Sequence, residues 1–366
     1  MRALISGGGT GGHLFPAIAV AQALSRKDPD ARVLFVGRRG GMEENVVPSY
    51  GIPYATIAAV KLDMEAPLRN WSVPFLLPRA LWEAAALIRR FRPDVVLGTG
   101  GYVSGPLILT AAVARVPIVL QEQNYLPGRT TRLLARFATE VATAYPETAR
   151  YLRAKTAVTG TPVRSEFWRP RTDFPDHPRR LLVLGGSQGA HRINEAVAAA
   201  LPHLLSRPDF SVSHQTGDRD ISMLEGVKAG LPEGVRNRYD PFAFSPELSE
   251  RMRAADLILS RAGASTLSEV SAVGVPMLLV PGPFAGGHQR LNAEPFERAG
   301  AAIIIPNESC DGETLVRELA SIIDQPERYR NMVRAMRQLG RPYAAEEVAQ
   351  MLIELARPAR PAGALP

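Results

Sequence analysis

The sequence predicts an α/β protein of two Rossmann-like, doubly wound parallel-sheet domains that face each other across a cleft. Short β-branched runs alternate with helical patterns along nearly the whole chain, as in βαβ units. The 366 residues are enough for two domains of ordinary size. A strand, a glycine-rich loop and a helix start occur at residues 3–13 and again at residues 181–191. Each domain is therefore predicted to begin with its first strand.

Nine strands and the helices between them are predicted from these runs. Short β-branched segments indicate strands, and apolar residues three or four positions apart indicate helices. The clearest helical patterns are Ala17–Leu24, Leu81–Phe91 and Ile193–Leu204. The predicted strands are Ala3–Ser6, Val33–Gly37, Asp94–Gly98, Ile118–Gln121, Glu140–Ala144, Leu181–Gly185, Asp256–Ser260, Val275–Val280 and Ala302–Ile305.

A proline-rich stretch between Gly160 and His177 predicts the boundary between the domains. We therefore expect an N-terminal domain over residues 1–163 and a C-terminal domain over residues 164–340. In this layout the last helix, residues 341–357, often joins the first domain. Residues 358–366 are predicted to be a tail, because prolines end regular structure there.

Composition excludes several classes of protein. With 46% apolar and 22% charged residues, the chain is neither disordered nor a coiled coil. The single cysteine, Cys310, excludes a disulfide framework and favours a reducing, cytosolic setting. The N-terminus does not look like a signal peptide, and no run approaches the roughly 18 apolar residues of a membrane span. The net charge of +7 is compatible with binding to nucleic acid, an anionic membrane or phosphorylated substrates. It is equally compatible with a solvated basic surface that has no single partner.

The first glycine-rich loop, Gly7-x-Gly9-x-x-Gly12, matches the dinucleotide-binding fingerprint. Such a loop brings backbone amides at a helix N-terminus close to a diphosphate. The second strand ends in Arg38 and Arg39, where NAD requires an acidic residue. An NADP-dependent oxidoreductase therefore stays open, and so does a tight turn that binds no ligand.

His13 follows this loop, at the expected mouth of the cleft. Because the pKa of histidine is ordinarily near neutral, this side chain can take a proton from an attacking hydroxyl. A histidine that only caps or packs the loop explains the position equally well. No spacing typical of a metal site is shown by His177, His191, His203 and His214.

Further segments carry groups suited to a phosphorylated nucleoside. Ser187 stands in the second glycine-rich loop where the first has Thr10, and its hydroxyl and the next amides can hold phosphate oxygens. Arg164 can add a charge-assisted hydrogen bond. Glu269, in the helix after residues 260–263, can accept hydrogen bonds from a ribose diol. Alternatively, Arg164 is an ordinary surface arginine and Glu269 is a solvated helix glutamate, and neither binds a ligand. A cluster able to read hydroxyls is predicted at His288, Gln289 and Asn292.

Residues 68–91 combine aromatic and aliphatic side chains with flanking arginines. This composition is typical of a surface that docks on an anionic membrane. A buried core with a few surface arginines is the alternative. Pro74 and Pro78 predict that part of the segment is a loop. The membrane-facing side chains are predicted to be Trp71, Phe75, Leu76, Leu77 and Trp82.

Several stretches occur in an order typical of one bacterial family. They are Gly8–Ala17, Gly98–Pro106, Gln121–Asn124, Gly160–Arg164, Gly185–Ala190, Ser260–Glu269 and Gln289–Ala293. Together they resemble the undecaprenyldiphospho-muramoylpentapeptide β-N-acetylglucosaminyltransferases, which convert lipid I to lipid II. The resemblance runs from the first residues to about Ala302 and so covers most of the chain.

The resemblance implies an inverting glycosyltransferase of the GT-B fold, with an N-terminal acceptor domain and a C-terminal UDP-GlcNAc domain. N-acetylglucosamine would pass to the 4-OH of the muramoyl sugar of lipid I, forming the β-1,4 link of lipid II and releasing UDP for peptidoglycan synthesis. Neither a cofactor nor a metal ion is expected. The expected partners are UDP-GlcNAc, lipid I, the anionic cytoplasmic face of the bacterial cell membrane and proteins of cell-wall synthesis, but no nucleic acid.

The reaction needs a base for the acceptor hydroxyl, for which we predict His13. It also needs charge stabilisation for departing UDP, which helix N-termini at Ser187 and Gly263, with Arg164, can provide in place of a metal. By resemblance, a loop at Phe244 contacts uracil through its backbone. The residues expected to contact UDP-GlcNAc are Thr10, Gly11, Gly12, Asn124, Arg164, Ser187, Ser245, Ala264, Ser265, Thr266, Leu267, Ser268, Glu269 and Gln289.

Two interpretations remain beside the transferase and the oxidoreductase. A GT-B protein that epimerises UDP-GlcNAc without an acceptor has no use for a membrane-facing segment. A basic nucleic-acid-binding protein needs no active site, and its affinity falls steeply with salt.

Overall fold

The computed structural model describes residues 1–59, 73–185, 190–283 and 287–356. Its contacts divide the chain into two compact units. One contains residues Met1–Ser165 and the last described helix, and the other contains residues Glu166–Pro342. Each unit is built on one parallel β-sheet, so the prediction of two doubly wound parallel sheets is confirmed.

The sheet of the first unit has seven strands in the order β3-β2-β1-β4-β5-β6-β7. Its central strands are wholly buried, as expected where helices cover both faces of a sheet. The strands are β1 (Arg2–Ser6), β2 (Arg32–Arg38), β3 (Tyr54–Ile57), β4 (Val95–Gly98), β5 (Ile118–Glu122), β6 (Glu140–Thr143) and β7 (Thr156–Val158). The helices are α1 (Gly11–Lys27), α2 (Glu43–Ser49), α3 (Val73–Phe91), α4 (Ser104–Val113), α5 (Arg129–Leu134) and, at the end of the described chain, α14 (Ala344–Ala356).

The sheet of the second unit has six strands in the order β10-β9-β8-β11-β12-β13. The strands are β8 (Arg180–Leu184), β9 (Ser211–Gln215), β10 (Tyr239–Phe242), β11 (Leu257–Ser260), β12 (Met277–Leu279) and β13 (Ala302–Ile304). The helices are α6 (His191–Ser206), α7 (Ile221–Gly230), α8 (Glu233–Arg236), α9 (Leu248–Ala254), α10 (Ala264–Val273), α11 (His288–Arg298), α12 (Gly312–Ile323) and α13 (Pro326–Leu339).

Four strands of the described chain, β3, β7, β9 and β10, were missed by the sequence analysis. Three of them, β3, β7 and β10, are edge strands, which are short and need a hydrogen-bonding partner on one side only. Strand β9 carries two serines and a histidine, and β10 contains Pro241. Neither therefore shows the β-branched run on which the prediction depended.

Helix α3 begins at Val73, so the loop predicted from Pro74 and Pro78 was wrong. Pro74 lies in the first turn, where the backbone N–H has no acceptor within the helix and its loss costs little. Pro78 removes one main-chain hydrogen bond. The inner face of the helix, which buries Ala80 and Ala84, offsets that loss.

The last described helix, α14, packs against α1 of the first unit. Its buried stripe consists mainly of alanines, which let the two helices approach closely. Arg26 of α1 and Glu346 of α14 form an ion pair at 3.4 Å beside this contact. The carboxyl-terminal part of the chain thus completes the unit with which the chain begins.

Each sheet has a point at which its strand order changes direction. In the first unit this point lies between β1 and β4, and in the second it lies between β8 and β11. Doubly wound sheets bind ligands there, outside the carboxyl ends of the strands. Thr10 follows β1 and Ala264 follows β11, so these predicted site residues lie at this edge.

Candidate active site

His13 lies in the first turn of α1, directly after the glycine-rich loop that follows β1. Its ring nitrogen Nδ1 lies 3.0 Å from the carbonyl oxygen of Thr99. The hydroxyl of Thr99 in turn donates to the carbonyl oxygen of His13 at 2.6 Å. Thr99 follows the neighbouring strand β4, so two adjacent strand ends hold the imidazole between them.

Two glycines without side chains leave room for the imidazole ring of His13. A Cβ atom on Gly100 would lie 2.8 Å from Nδ1 of His13, and one on Gly101 would lie 2.4 Å from the carbonyl oxygen of Gly8. Both have positive φ angles, +96° and +78°, which residues with side chains adopt only with strain. The stretch Gly98–Pro106, to which the sequence analysis gave no role, thus supports the predicted base.

The imidazole of His13 is neutral at pH 7. Desolvation lowers its pKa, and this effect outweighs the nearby carboxylate of Glu122 and the carbonyl of Thr99, which act to raise it. The N-terminus of α1 also disfavours a cation at this position. Because a carbonyl oxygen can only accept, Nδ1 carries the hydrogen and donates it to Thr99. The lone pair is then on Nε2, which is the state required of a general base.

Glu122 is a buried carboxylate at the end of β5 that orders the loop after it. Its Oε1 accepts hydrogen bonds from the backbone N–H and the side-chain Nδ2 of Asn124, at 2.9 and 3.0 Å. Its Oε2 accepts from the N–H of Gly128 at 3.0 Å. The loop places the amide of Gln123 2.7 Å from Nδ1 of His13. Asn124, a predicted substrate contact, therefore uses its Nδ2 within the chain.

The other predicted residues of the first unit surround the start of α1. Thr10 is exposed, and its carbonyl oxygen accepts from the N–H groups of His13 and Leu14. Gly11 and Gly12 form the first turn, whose amides have no acceptors within a helix. The guanidinium of Arg164 lies over the ring of Phe15, 4.7 Å from its centre. Arg164 thus falls in the first unit, beside the helix that carries His13.

Helix α10 provides the corresponding N-terminus in the second unit. It begins at Ala264, after β11 and the helix-capping Gly263. Ser265 has a buried hydroxyl with no hydrogen-bond partner among the described residues. The side chains of Ala264 and Leu267 are buried, which leaves only their backbone for a ligand. Thr266 and Glu269 are half-buried, and the hydroxyl of Ser268 donates to the carbonyl oxygen of Ala264 in its own helix.

Helix α11 ties the neighbouring loops together. Oε1 of Gln289 accepts from the N–H of Gly282 at 2.7 Å, and the buried Asn292 lies with its Nδ2 3.5 Å from the carbonyl oxygen of Ala262. Arg261, to which the sequence analysis assigned no role, donates to the carbonyl oxygen of Val280 and to Asn307. These contacts join the loop before α10 to the loop after β12 and to α11.

The remaining predicted donor residues lie further along the second unit. Ser245 is nearly buried, and its hydroxyl accepts from the N–H of Glu247 at 3.2 Å, while the preceding Phe244 is largely exposed. This arrangement leaves the backbone of the loop to meet a ligand. Ser187, with Gly186, Gln188 and Gly189, lies outside the described residues.

The outer face of α3 exposes large apolar side chains. Phe75 is 75% exposed, Trp82 70% and Leu77 43%, so the buried-core interpretation is wrong for these three, which we call the α3 patch. Leu76 is half-buried, and Trp71 lies outside the described residues. Across the described residues, no helix is long and apolar enough to span a bilayer.

Two Asp-x-Asp triplets occur in the sequence, Asp28-Pro29-Asp30 and Asp218-Arg219-Asp220. Asp28 pairs with the N-terminal amine at 3.6 Å, and the buried Asp220 accepts from Nδ2 of Asn194 at 2.7 Å. One carboxylate of each triplet is therefore engaged within the chain. In the part of the chain that the structure describes, no three His, Cys, Asp or Glu residues are grouped as metal ligands.

Two doubly wound units, each with a helix N-terminus where its strand order changes direction, form an α/β architecture, and two family models place the chain in the glycosyltransferase class. The chain belongs to glycosyltransferase family 28. The family's N-terminal domain matches residues 3–143, and its C-terminal domain matches residues 180–348.

Individual relatives are similar in sequence to this chain over nearly their whole length. A protein of Anaeromyxobacter sp. (strain Fw109-5), named UDP-N-acetylglucosamine--N-acetylmuramyl-(pentapeptide) pyrophosphoryl-undecaprenol N-acetylglucosamine transferase, is 43% identical over 98% of this chain and 94% of its own. A protein of the same name from Desulfitobacterium hafniense (strain DSM 10664 / DCB-2) is 37% identical over 97% of this chain and 100% of its own. The crystal structure of MurG from Acinetobacter baumannii superposes with a TM-score of 0.79 at 29% identity, covering 96% of this chain and 99% of that one. The predicted family and GT-B fold are confirmed.

Proposed function

We propose that the chain transfers N-acetylglucosamine from UDP-GlcNAc to the 4-OH of the muramoyl sugar of lipid I, with inversion, and so forms the β-1,4 link of lipid II. The names of its relatives support this substrate pair. The structural observation that carries the proposal is His13, which is neutral, held through Nδ1 and left with its lone pair on Nε2. That is the state in which a histidine can activate a hydroxyl.

The transfer is a single displacement at C1 of the donor sugar. Nε2 of His13 takes the proton of the acceptor 4-OH while its oxygen forms the bond to C1. The bond from C1 to the diphosphate oxygen breaks, and the electron pair leaves with UDP. A base and a stabilised leaving group are the two requirements of this step, and they come from different parts of the chain.

The leaving diphosphate gains negative charge, and α10 is suited to stabilise it. The first amides of this ten-residue helix have no acceptors within the helix, and the helix dipole adds a positive potential. The unpartnered hydroxyl of Ser265 can donate to a phosphate oxygen. Arg164 and Ser187 are proposed to add further contacts to the diphosphate.

The remaining donor contacts follow from the side-chain chemistry. Glu269 is proposed to accept from the ribose hydroxyls, and the backbone at Ser245 is proposed to meet uracil. Gln289, whose Oε1 is fixed by Gly282, is proposed to donate through Nε2 to a sugar hydroxyl. The sugar and its phosphates are further proposed to contact Thr10, Gly11, Gly12, Asn124, Thr266 and Ser268, with backbone contacts from Ala264 and Leu267.

The α3 patch is proposed to dock the enzyme on the cytoplasmic leaflet of the bacterial cell membrane, where the lipid acceptor lies. Aromatic side chains such as Phe75 and Trp82 insert among lipid headgroups. Exposed Arg89 and Arg90 in the last turn of the same helix, and the net charge of +7, suit an anionic surface. Docking gives the protein access to an acceptor whose tail does not leave the bilayer.

The test is UDP release from UDP-GlcNAc with and without a short-chain analogue of lipid I. The proposal predicts release that depends on the acceptor, together with a disaccharide product. UDP formation without acceptor, or conversion to another UDP-sugar, would favour an epimerase. No turnover, with NADPH binding intact, would overturn the assignment in favour of an oxidoreductase.

A further inference from the structure

Gln123 has a buried amide against the ring of His13. Its Nε2 is placed 2.7 Å from Nδ1 of the imidazole. Its Oε1 is buried and has no hydrogen-bond partner among the residues that the structure describes. The proposed function gives this side chain no role, and a buried polar atom without a partner costs stability, so its presence calls for an explanation.

The contact between Nδ1 and the carbonyl oxygen of Thr99 determines which atom of the Gln123 amide faces the ring. The carbonyl oxygen of Thr99 lies 3.0 Å from Nδ1 and can only accept, so Nδ1 carries a hydrogen. An amide N–H directed at that N–H would be repulsive. Turning the amide of Gln123 over exchanges its two nearly isosteric atoms. Oε1 then accepts from Nδ1–H together with Thr99, in a three-centre hydrogen bond, and gains the partner that it lacks.

We propose that Gln123 is a positioning residue for the general base. Its amide oxygen and the carbonyl of Thr99 hold His13 in the tautomer that has its hydrogen on Nδ1 and its lone pair on Nε2. Which ring nitrogen is protonated is set by the hydrogen bond that the other atom makes, so this contact selects the reactive state. The inference rests on the proposed function in naming His13 as the base, while the tautomer itself can be observed without any substrate.

An amide suits this position better than a carboxylate would. A carboxylate against Nδ1–H raises the pKa of an imidazole and favours the cation, which cannot accept a proton. Among the described residues, the carboxylate that acts on the ring is Glu122, which is occupied by the N–H groups of Asn124 and Gly128. The N-terminus of α1 acts in the opposite direction. Gln123 therefore orients the ring without adding a charge that favours the cation.

The experiment is ¹⁵N NMR of the full chain labelled at its six histidines, with the His13→Ala variant identifying the signal of His13. Wild-type protein is expected to show His13 protonated at Nδ1 and unprotonated at Nε2. Gln123→Met keeps the length of the side chain and removes one of the two acceptors, so the share of the Nε2–H tautomer should rise although the Thr99 carbonyl remains. Its kcat should fall by roughly 10- to 100-fold, with the KM for UDP-GlcNAc nearly unchanged.

Gln123→Glu is the conservative variant. Its carboxylate can accept from the same Nδ1–H, so the tautomer should be retained while the pKa of the imidazole rises. The acidic limb of the kcat/KM profile should then move to higher pH by about one unit or more. If Gln123 only filled space, Gln123→Met would leave the tautomer of His13 unchanged.

Gln121→Met is the matched control. Gln121 lies two residues earlier on β5, is fully buried, and has no partner at either amide atom within the described chain. The same chemical change there should leave the His13 signal and the pH profile as in wild type. An Nε2–H tautomer in wild type, an unchanged signal in Gln123→Met, or the same change in Gln121→Met would overturn the inference. If the tautomer responds as expected but no acceptor-dependent turnover exists, the proposed function fails and the positioning contact stands.

Discussion

Thr99 and His13 hold each other through two hydrogen bonds, one from the Thr99 hydroxyl to the His13 carbonyl at 2.6 Å and one between Nδ1 of the ring and the Thr99 carbonyl at 3.0 Å. Thr99→Val keeps the shape and the backbone bond but loses the hydroxyl. The free energy of unfolding should fall by about 1 kcal/mol. The value of kcat should also fall, because the first turn of α1 loses a constraint. The measurement is urea unfolding together with steady-state kinetics.

Thr110→Val is the control for this change. The hydroxyl of Thr110 also donates to a backbone carbonyl, that of Pro106 at 2.8 Å, but within α4. Its replacement should leave kcat unchanged. A loss of kcat as large as that of Thr99→Val would show that the pair with His13 has no special role.

Gly100→Ala should disturb the base through direct contact. The added Cβ would lie 2.8 Å from Nδ1 of His13, so the ring must move, and a displacement of about 1 Å can cost roughly 10²-fold in rate. Gly51→Ala is the control, since Gly51 also has a positive φ, +70°, but nothing within 4 Å of the added atom. Both variants should lose stability, by roughly 1–2 kcal/mol for the backbone strain alone. Only Gly100→Ala should lose kcat, and equal losses of kcat would contradict this account.

The site illustrates which features the sequence could predict. The position of His13 after a strand and a glycine-rich loop made it a candidate, because the order of strand, loop and helix is local, but left its role open. Its partner Thr99 and the neighbouring Gly100 follow another strand, β4, and only the sheet order brings them to the ring. The intrahelical bond of Ser268 could not be predicted either, since several hydroxyls in that stretch have the same local pattern.

The fold shows the same difference between features that depend on local sequence and features that depend on tertiary contacts. Strands buried by neighbours on both sides were predicted from their apolar runs, whereas the polar β9 and the edge strand β10 were not. Pro74 and Pro78 were interpreted as helix breakers, but the first turn of a helix tolerates proline and the buried face of α3 supports the rest. Tertiary packing decided these cases.

Ser265→Ala separates ligand binding from stability. The buried hydroxyl of Ser265 has no partner within the described residues, so its removal should leave the free energy of unfolding unchanged or slightly raised. The Kd for UDP-GlcNAc should rise by about tenfold, the usual value of one hydrogen bond to a charged group. Ser271→Ala, further along α10, is the control, because that hydroxyl donates to the carbonyl oxygen of Ser268. Calorimetric titration would give both Kd values, and an unchanged Kd in Ser265→Ala would remove this residue from the donor site.

The stability of the second unit should depend on pH through His214. This buried ring contacts Tyr239 and Asn194, and burial lowers its pKa to about 3. The unfolded chain protonates near pH 6.5, so the stability is fully present above that pH and is lost as the pH falls, by about 1.4 kcal/mol per unit. In His214→Gln the side chain at this position has no titratable group. Between pH 6.5 and 4.5 its free energy of unfolding should therefore fall by about 2–3 kcal/mol less than that of wild type.

Urea unfolding at several pH values measures this difference. His203→Gln removes an exposed histidine of α6 and serves as the control, which should follow the wild-type curve. Parallel curves for wild type and His214→Gln would show that the buried ring does not set the acid limit.

Replacing Phe75 and Trp82 together by serine should weaken membrane binding. Each ring is worth up to about 1.5–3 kcal/mol when fully inserted, so the partition coefficient on phosphatidylglycerol vesicles should fall by more than about tenfold. Turnover of a water-soluble acceptor analogue should be retained. Met223→Ser, an exposed apolar position on α7 of the other unit, is the control. Vesicle co-sedimentation gives the result, and equal binding of the double variant and wild type would rule out the α3 patch as the docking surface.

The most direct test of the central claim is the effect of His13→Ala on chemistry and on donor binding in the same preparation. Loss of the base should lower the acceptor-dependent kcat by roughly 10²–10⁴-fold, while the Kd for UDP-GlcNAc changes little, because the imidazole acts on the acceptor hydroxyl. A kcat equal to that of wild type, or a loss of activity fully explained by weaker donor binding, would contradict the assignment of His13 as the general base.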